Sequence, residues 1–195
     1  MSFIGYRDFG DRNQFVIEDF SRLDKKNVLK SSLYQKLKNI RTEGGCDEPE
    51  DIRGAIKQVL KLKWRSGNKF VVLIADAPTH GKRYYEQSDK RYMKQYDDYP
   101  EEDIQDAIKE LMMRKIGFIG VEFTNETDKM FKELAEIYKQ NGMEIYFALE
   151  DMKKLTEETE NLDERVRRFM DLVGTKIKET NNSNINSDSK KIKKK

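Results

Sequence analysis

Two uninterrupted apolar runs limit the fold more than any other feature of the chain. Phe70-Val71-Val72-Leu73-Ile74-Ala75 has no polar residue, and Ile116 to Phe123 (IGFIGVEF) has one. Lacking the alternation of a half-solvated strand, such runs read as strands covered on both faces, as in a parallel sheet. Amphipathic stretches separate them. Ile52, Ala55, Ile56, Val59 and Leu60 precede the first run at helical spacing, behind Glu48-Pro49-Glu50-Asp51 as a first turn rich in proline and acids. Between the runs, a polar, Tyr-rich connection from Thr79 to Tyr99 leads to a helix beginning near Pro100, with Ile104, Ala107, Ile108, Leu111 and Met112 on one side. After the second run, Thr127 to Asn141 repeats the pattern with Met130, Phe131, Leu134, Ala135 and Tyr138, and Gly142 stops it. Met143 to Leu149 (MEIYFAL) is a last strand. The alternation predicts an α/β fold, a doubly wound and mostly parallel sheet of Rossmann-like type with right-handed crossovers.

The ends differ from this middle. Ser2 to Tyr6 and Gln14 to Phe20, with Asp8-Phe9-Gly10-Asp11-Arg12-Asn13 between them, predict a β-hairpin. Asp24 is a plausible N-cap for a helix carrying Leu29, Leu33, Leu37 and Ile40, ended by Glu43-Gly44-Gly45. A charged helical stretch is clearest from Leu162 to Ile177, with Val166, Phe169, Met170 and Val173 on its apolar side. The Asn/Ser/Lys-rich residues from Thr180 read as disordered. This divides the chain into a domain over 1–149, a helical extension over 150–179 and a disordered, Lys-rich tail over 180–195.

Composition removes several functions. The whole chain carries +2, but residues 180–195 hold five Lys and one Asp, so residues 1–179 carry −2. A mildly acidic body disfavours a nucleic-acid surface. The basic, Tyr-rich segment around Tyr84, Tyr85, Tyr92, Tyr96 and Tyr99 reads as a packed loop. No apolar run approaches the ~20 residues of a membrane span, and the start is too short and too soon charged for a signal peptide. One cysteine, Cys46, excludes an internal disulfide and a multi-Cys zinc site. One histidine, His80, excludes a multi-His zinc centre. The chain is expected to be cytoplasmic.

Ligands of open parallel sheets bind beyond the carboxyl ends of the strands, where the strand order reverses. The loops there hold Asp8, Asp47, Asp76, Thr79 and His80. Clustered carboxylates suit a hard cation such as Mg²⁺, although an Asp closing a strand also serves as a turn former or N-cap. No glycine-rich phosphate loop and no nucleophile elbow is present. Cys46 in its glycine loop reads as a passive small residue, and His80 as structural or a surface group.

GYRDFGD (Gly5–Asp11), GGCDEPEDIRGAI (Gly44–Ile56) and VVLIADAPTHGKRYY (Val71–Tyr85), with Phe20-Ser21 and Trp64, resemble the von Willebrand factor type A (VWA) domain. The resemblance is to its intracellular group associated with α-type protein kinases, and it covers roughly residues 1–149. It implies a doubly wound sheet with a metal-ion-dependent adhesion site for magnesium, at which a partner's carboxylate completes the coordination. Of that site's three ligand segments, Asp76 matches the third. The second falls at Cys46 or Asp47, of which Asp47 suits a hard cation better. The first, Asp-x-Ser-x-Ser, is missing; Asp19-x-Ser21 begins like it but continues Arg22-Leu23.

By this alignment Met1 falls where the family's second strand begins. The expectation is therefore a truncated domain, with the central first strand missing and a tendency to self-association. Magnesium is expected to bind weakly or not at all through Asp47 and Asp76. The resemblance implies a non-enzymatic protein-binding module without catalytic residues. The alternatives are a regulatory VWA fragment of an α-type serine/threonine kinase and a Mg-dependent α/β hydrolase or phosphotransferase using Asp76 and His80.

Overall fold

A computed structural model describes residues 1–21, 32–41, 47–65, 67–86 and 97–153, together with 164, 167, 168, 170, 171 and 174–179. Strands β1 (Phe3–Tyr6) and β2 (Phe15–Glu18) form the expected antiparallel hairpin, with Gly5 opposite Val16. Helices α1 (Ser32–Lys38) and α2 (Ile52–Lys61) follow. Next come β3 (Lys69–Ala75), α3 (Gln105–Met113), β4 (Ile116–Glu122), α4 (Asp128–Gln140) and β5 (Phe147–Asp151). Strands β3, β4 and β5 make a parallel sheet in that order, in which Val72 stands beside Ile119 and Ile119 beside Ala148. The molecule is mixed α/β, consistent with a Rossmann-like fold.

Side-chain alternation sorts the sheet into two faces. Leu73, Ala75, Ile116 and Phe118 join a core with Ile52, Ile56, Ile108, Leu111, Phe131 and Leu134 from α2, α3 and α4. The opposite face gathers Ile119, Val121 and Met152 with Phe70, Val72, Ala148 and Ile177. Every residue of β4 is buried, as its run predicted. Its single charge, Glu122, is met by Lys153 at 3.6 Å. Gly120 is needed for close packing, because a Cβ there would lie 2.4 Å from the ring of Phe131.

Several sequence expectations shift. β3 is less covered than its composition suggested: it is an edge strand among the described residues, and Ile74 is 48% exposed. The order β3-β4-β5 contains no reversal, so these strands supply no switch point. The acids and Pro49 lie before α2 rather than in its first turn. Asp51 is its N-cap, accepting the Gly54 N–H at 2.6 Å, because a carboxylate satisfies a free amide better from that position. Likewise α3 begins at Gln105, since Tyr99 to Glu102 form a turn before it, closed by the Glu102 N–H on the Tyr99 carbonyl at 3.0 Å. Ile137 rather than Ala135 is buried in α4, and residues Glu144–Tyr146 form a 3₁₀ turn before the last strand. In α1, Leu33 is buried but Leu37 is 39% exposed. Asp24, Leu29, Cys46, Tyr92, Tyr96, Val166, Phe169, Val173 and the tail 180–195 lie outside the described residues. Ile177 packs on the sheet, whereas Met170 is 62% exposed.

The hairpin belongs to neither edge of the three-stranded sheet. Its β1 strand leans on α2, Phe20 meets Trp64 edge-on at 4.9 Å, and the Tyr6 hydroxyl donates to the Ile74 carbonyl at 3.1 Å.

Candidate functional site

Three loops converge where the hairpin turn, the segment before α2 and the segment after β3 meet. The turn after β1 contributes Asp8, the segment before α2 contributes Asp47 and Glu50, and the loop after β3 contributes His80. A main-chain bond fixes the last two segments to each other, with the Glu50 N–H donating to the Pro78 carbonyl at 3.0 Å. His80 is buried at the centre and donates from both ring nitrogens. Nε2 reaches Asp8 Oδ1 at 2.5 Å and Nδ1 reaches Asp97 Oδ1 at 2.8 Å. Since both partners are carboxylates, which can only accept when ionised, the ring must carry both protons. Phe9 and Tyr99 cover it, each with its ring centre 5.1 Å from the imidazole.

Asp97 is the best-supplied acceptor of the group. Besides His80, it accepts from the Tyr85 hydroxyl at 2.8 Å, the Gly81 N–H at 3.1 Å and the Tyr99 N–H at 2.8 Å. Burial pushes its carboxyl up, but these bonds outweigh burial and hold it below the ordinary carboxylate range. Burial also opposes the charge on His80, yet Asp97 and Asp8 together raise the imidazole to about 9.

Asp47 differs from Asp97. Its Oδ2 accepts the Asp98 N–H at 2.9 Å, while its buried Oδ1 finds no donor among the described residues. Asp8 lies beside it. Burial first, and then Asp8, raise Asp47 to about 6. Glu50 has a buried oxygen without a partner as well. Burial, then Asp8, Asp11 and Asp76, push it up to about 7.

Gly81 permits the loop that brings His80 inward. Its φ is +109°, and a Cβ would lie 2.2 Å from the Glu102 carbonyl oxygen. Gly81→Ala is therefore expected to cost about 2 kcal/mol or more. Urea unfolding reads this directly, and a loss under 0.5 kcal/mol would show that the loop is free to shift.

Of the residues expected at this edge, Asp8, Asp47 and His80 come together, with one ligand atom each and all three atoms within 4.8 Å of one another. They lie close enough to hold a metal ion. Thr79 is buried, and its N–H donates to the Met130 sulfur at 3.3 Å. Asp76 is exposed, its carbonyl accepts the Thr124 hydroxyl at 2.6 Å, and it does not belong to this group. The donor set is thus an imidazole with two carboxylates, which fits the oxygen-only preference of Mg²⁺ poorly. Asp97 and Glu50 were not singled out from sequence. The signal for Asp97 was Asp97-Asp98-Tyr99-Pro100, a turn immediately before a helix.

The fold and site define a mixed α/β domain with a histidine–carboxylate cluster bracing its loops. No protein-family model matches the chain, and no solved structure matches it. It is 37% identical over 89 residues to the alpha-protein kinase vwkA of Dictyostelium discoideum. The matched part is 45% of this chain and 13% of that protein. Among the described residues no helix is long and apolar enough to cross a membrane.

Proposed function

We propose that this chain is a non-enzymatic protein-binding module related to the VWA domain, and that its partner meets the loop edge around Glu48, Asp98 and Tyr99. One observation carries the reading. The single histidine is locked between two carboxylates, so it holds three chain segments together and has no free nitrogen to act as a base. Such a cross-brace keeps a binding surface in one shape while contributing no chemistry. The similarity to an alpha-protein kinase agrees with the kinase-associated group suggested by the motifs. A regulatory role beside an α-type kinase is the second form of this proposal. The hydrolase or phosphotransferase alternative is disfavoured by the exposure of Asp76, away from His80.

The test uses an immobilised chain and two charge reversals. Asp98→Lys on the loop edge should abolish capture of its partner, whereas Glu136→Lys on α4 should leave capture unchanged. Equal capture by both variants, or phosphate-ester turnover lost on Asp76→Ala, would refute the proposal. Magnesium gives a further expectation. Because Asp47 and Asp76 do not share a donor group, titration calorimetry should show no sub-micromolar Mg²⁺ affinity dependent on Asp76. Such an affinity, removed by Asp76→Ala, would restore the adhesion-site reading.

A further inference from the structure

We propose that Asp8, Asp47 and His80 form a binding site for one divalent transition-metal ion of the zinc class, with Asp97 as the positioning residue of its histidine. The inference is independent of the protein-binding reading. Three features of different kinds lead to it.

The first is the donor triangle, whose three ligand atoms lie within 4.8 Å of one another. The second is Asp47 itself. Its side chain is only 2% exposed, and its Oδ1 has no donor although Oδ2 is held by Asp98. A buried carboxylate oxygen without a donor is costly unless a cation or proton meets it. The third is the arrangement behind the imidazole. Nδ1 already donates to Asp97, whose other oxygen is tied to Tyr85 and Gly81. Metal-bound histidines are oriented in this way, by a carboxylate on the nitrogen remote from the ion. Nε2 is then the ligand nitrogen, and Asp8 already stands beside it at 2.5 Å.

Donor chemistry selects the ion. One imidazole and two carboxylates are a borderline set, matching Zn²⁺ and its neighbours, while Mg²⁺ favours oxygen and retains its waters. Three protein ligands leave one position for water or for a carboxylate from elsewhere. Charge agrees, since Asp8, Asp47 and Asp97 surround one imidazolium. On binding, the ion takes the place of the proton on Nε2, which leaves to solvent.

The experiment uses the full chain stripped with EDTA and titrated with ZnCl₂, then separately with MgCl₂. One Zn²⁺ should bind with a Kd in the micromolar range or tighter, at least about 100-fold more tightly than Mg²⁺. Asp47→Asn keeps an acceptor for Asp98 and should weaken Zn²⁺ at least about 10-fold, as should Asp8→Asn. Asp97→Asn should weaken it by about 10- to 100-fold while leaving the one-to-one stoichiometry intact. Cobalt(II) should give a visible absorption band that His80→Gln removes. Cys46→Ser should retain binding.

Zinc affinity unchanged by Asp8→Asn and Asp47→Asn, or lost only with Cys46→Ser, would overturn the proposal. If these variants fail to fold by circular dichroism, the wild-type chain decides. His80 is the only histidine, so its ring ¹⁵N resonances are unique and must shift on zinc addition. Resonances unmoved at saturating zinc would refute the site.

Discussion

His80→Ala should destabilise the metal-free protein by about 3–5 kcal/mol, the range for removing one member of a buried ion pair. The variant leaves Asp8, Asp47 and Asp97 facing one another around a void, with side chains 5%, 2% and 0% exposed. Ionised, they repel; protonated, they lose the donors that matched their geometry. For a chain of this size the loss corresponds to roughly a 10 °C fall in melting temperature. Urea unfolding at neutral pH in EDTA measures it. Adding Asp97→Asn to His80→Ala should recover part of the loss, because it removes one uncompensated charge. A cost below 1 kcal/mol for His80→Ala would mean that water already solvates the cluster.

The same groups make stability depend on pH in an uncommon direction. Asp47, Glu50 and His80 all bind protons more tightly in the folded state than their ordinary values of 3.8, 4.5 and 6.5, at about 6, 7 and 9 respectively. A group whose folded pKa is raised contributes stability below its unfolded pKa and loses it as pH rises through its folded value. The three windows overlap to cover the range from 3.8 to about 9. Asp97 and Asp106 act oppositely. Their carboxyls are held low, Asp106 at about 2 chiefly by Arg53, so their contribution is lost only as pH falls below the ordinary range. The stability maximum should therefore lie near pH 4–5, with stability declining steadily towards pH 9. Denaturation midpoints across this range in EDTA test it. A maximum at pH 7 or above would contradict the assigned proton positions.

The middle of the fold was legible because its residues obey one period each. Ile116 to Glu122 could hardly be anything but a covered strand, and the stripe from Ile104 to Met112 is buried as its spacing required. Boundaries were less legible, because an N-cap and a first turn attract the same residues. Asp51 caps α2 while the acids before it belong to loops. At the site, strand-end logic found Asp8, Asp47 and His80, whose loops the hairpin and β3 bring together. Asp76, singled out by the same logic, lies exposed after β3 and outside that group. That logic missed Asp97 because the bond between Asp97 and His80 spans 17 residues of connection without periodicity. Only tertiary contact shows that one carboxylate there serves an imidazole, a phenol and two amides.

The hairpin's separation from the sheet has a consequence for motion. β1 and β2 share no backbone ladder with β3, whereas β3, β4 and β5 are stitched in register through consecutive crossovers. The hairpin is anchored to the rest by side chains: Tyr6 on Ile74, Gln14 on Asp51 and Asp8 on His80. Two cooperative units of unequal strength result. Amides at Ile4, Val16 and Ile17 should exchange with solvent through a partial opening, well before those at Phe118 and Ile119, which await global unfolding. Raising the pH past about 9 discharges His80 and should widen the gap between the two sets, so that the hairpin detaches first.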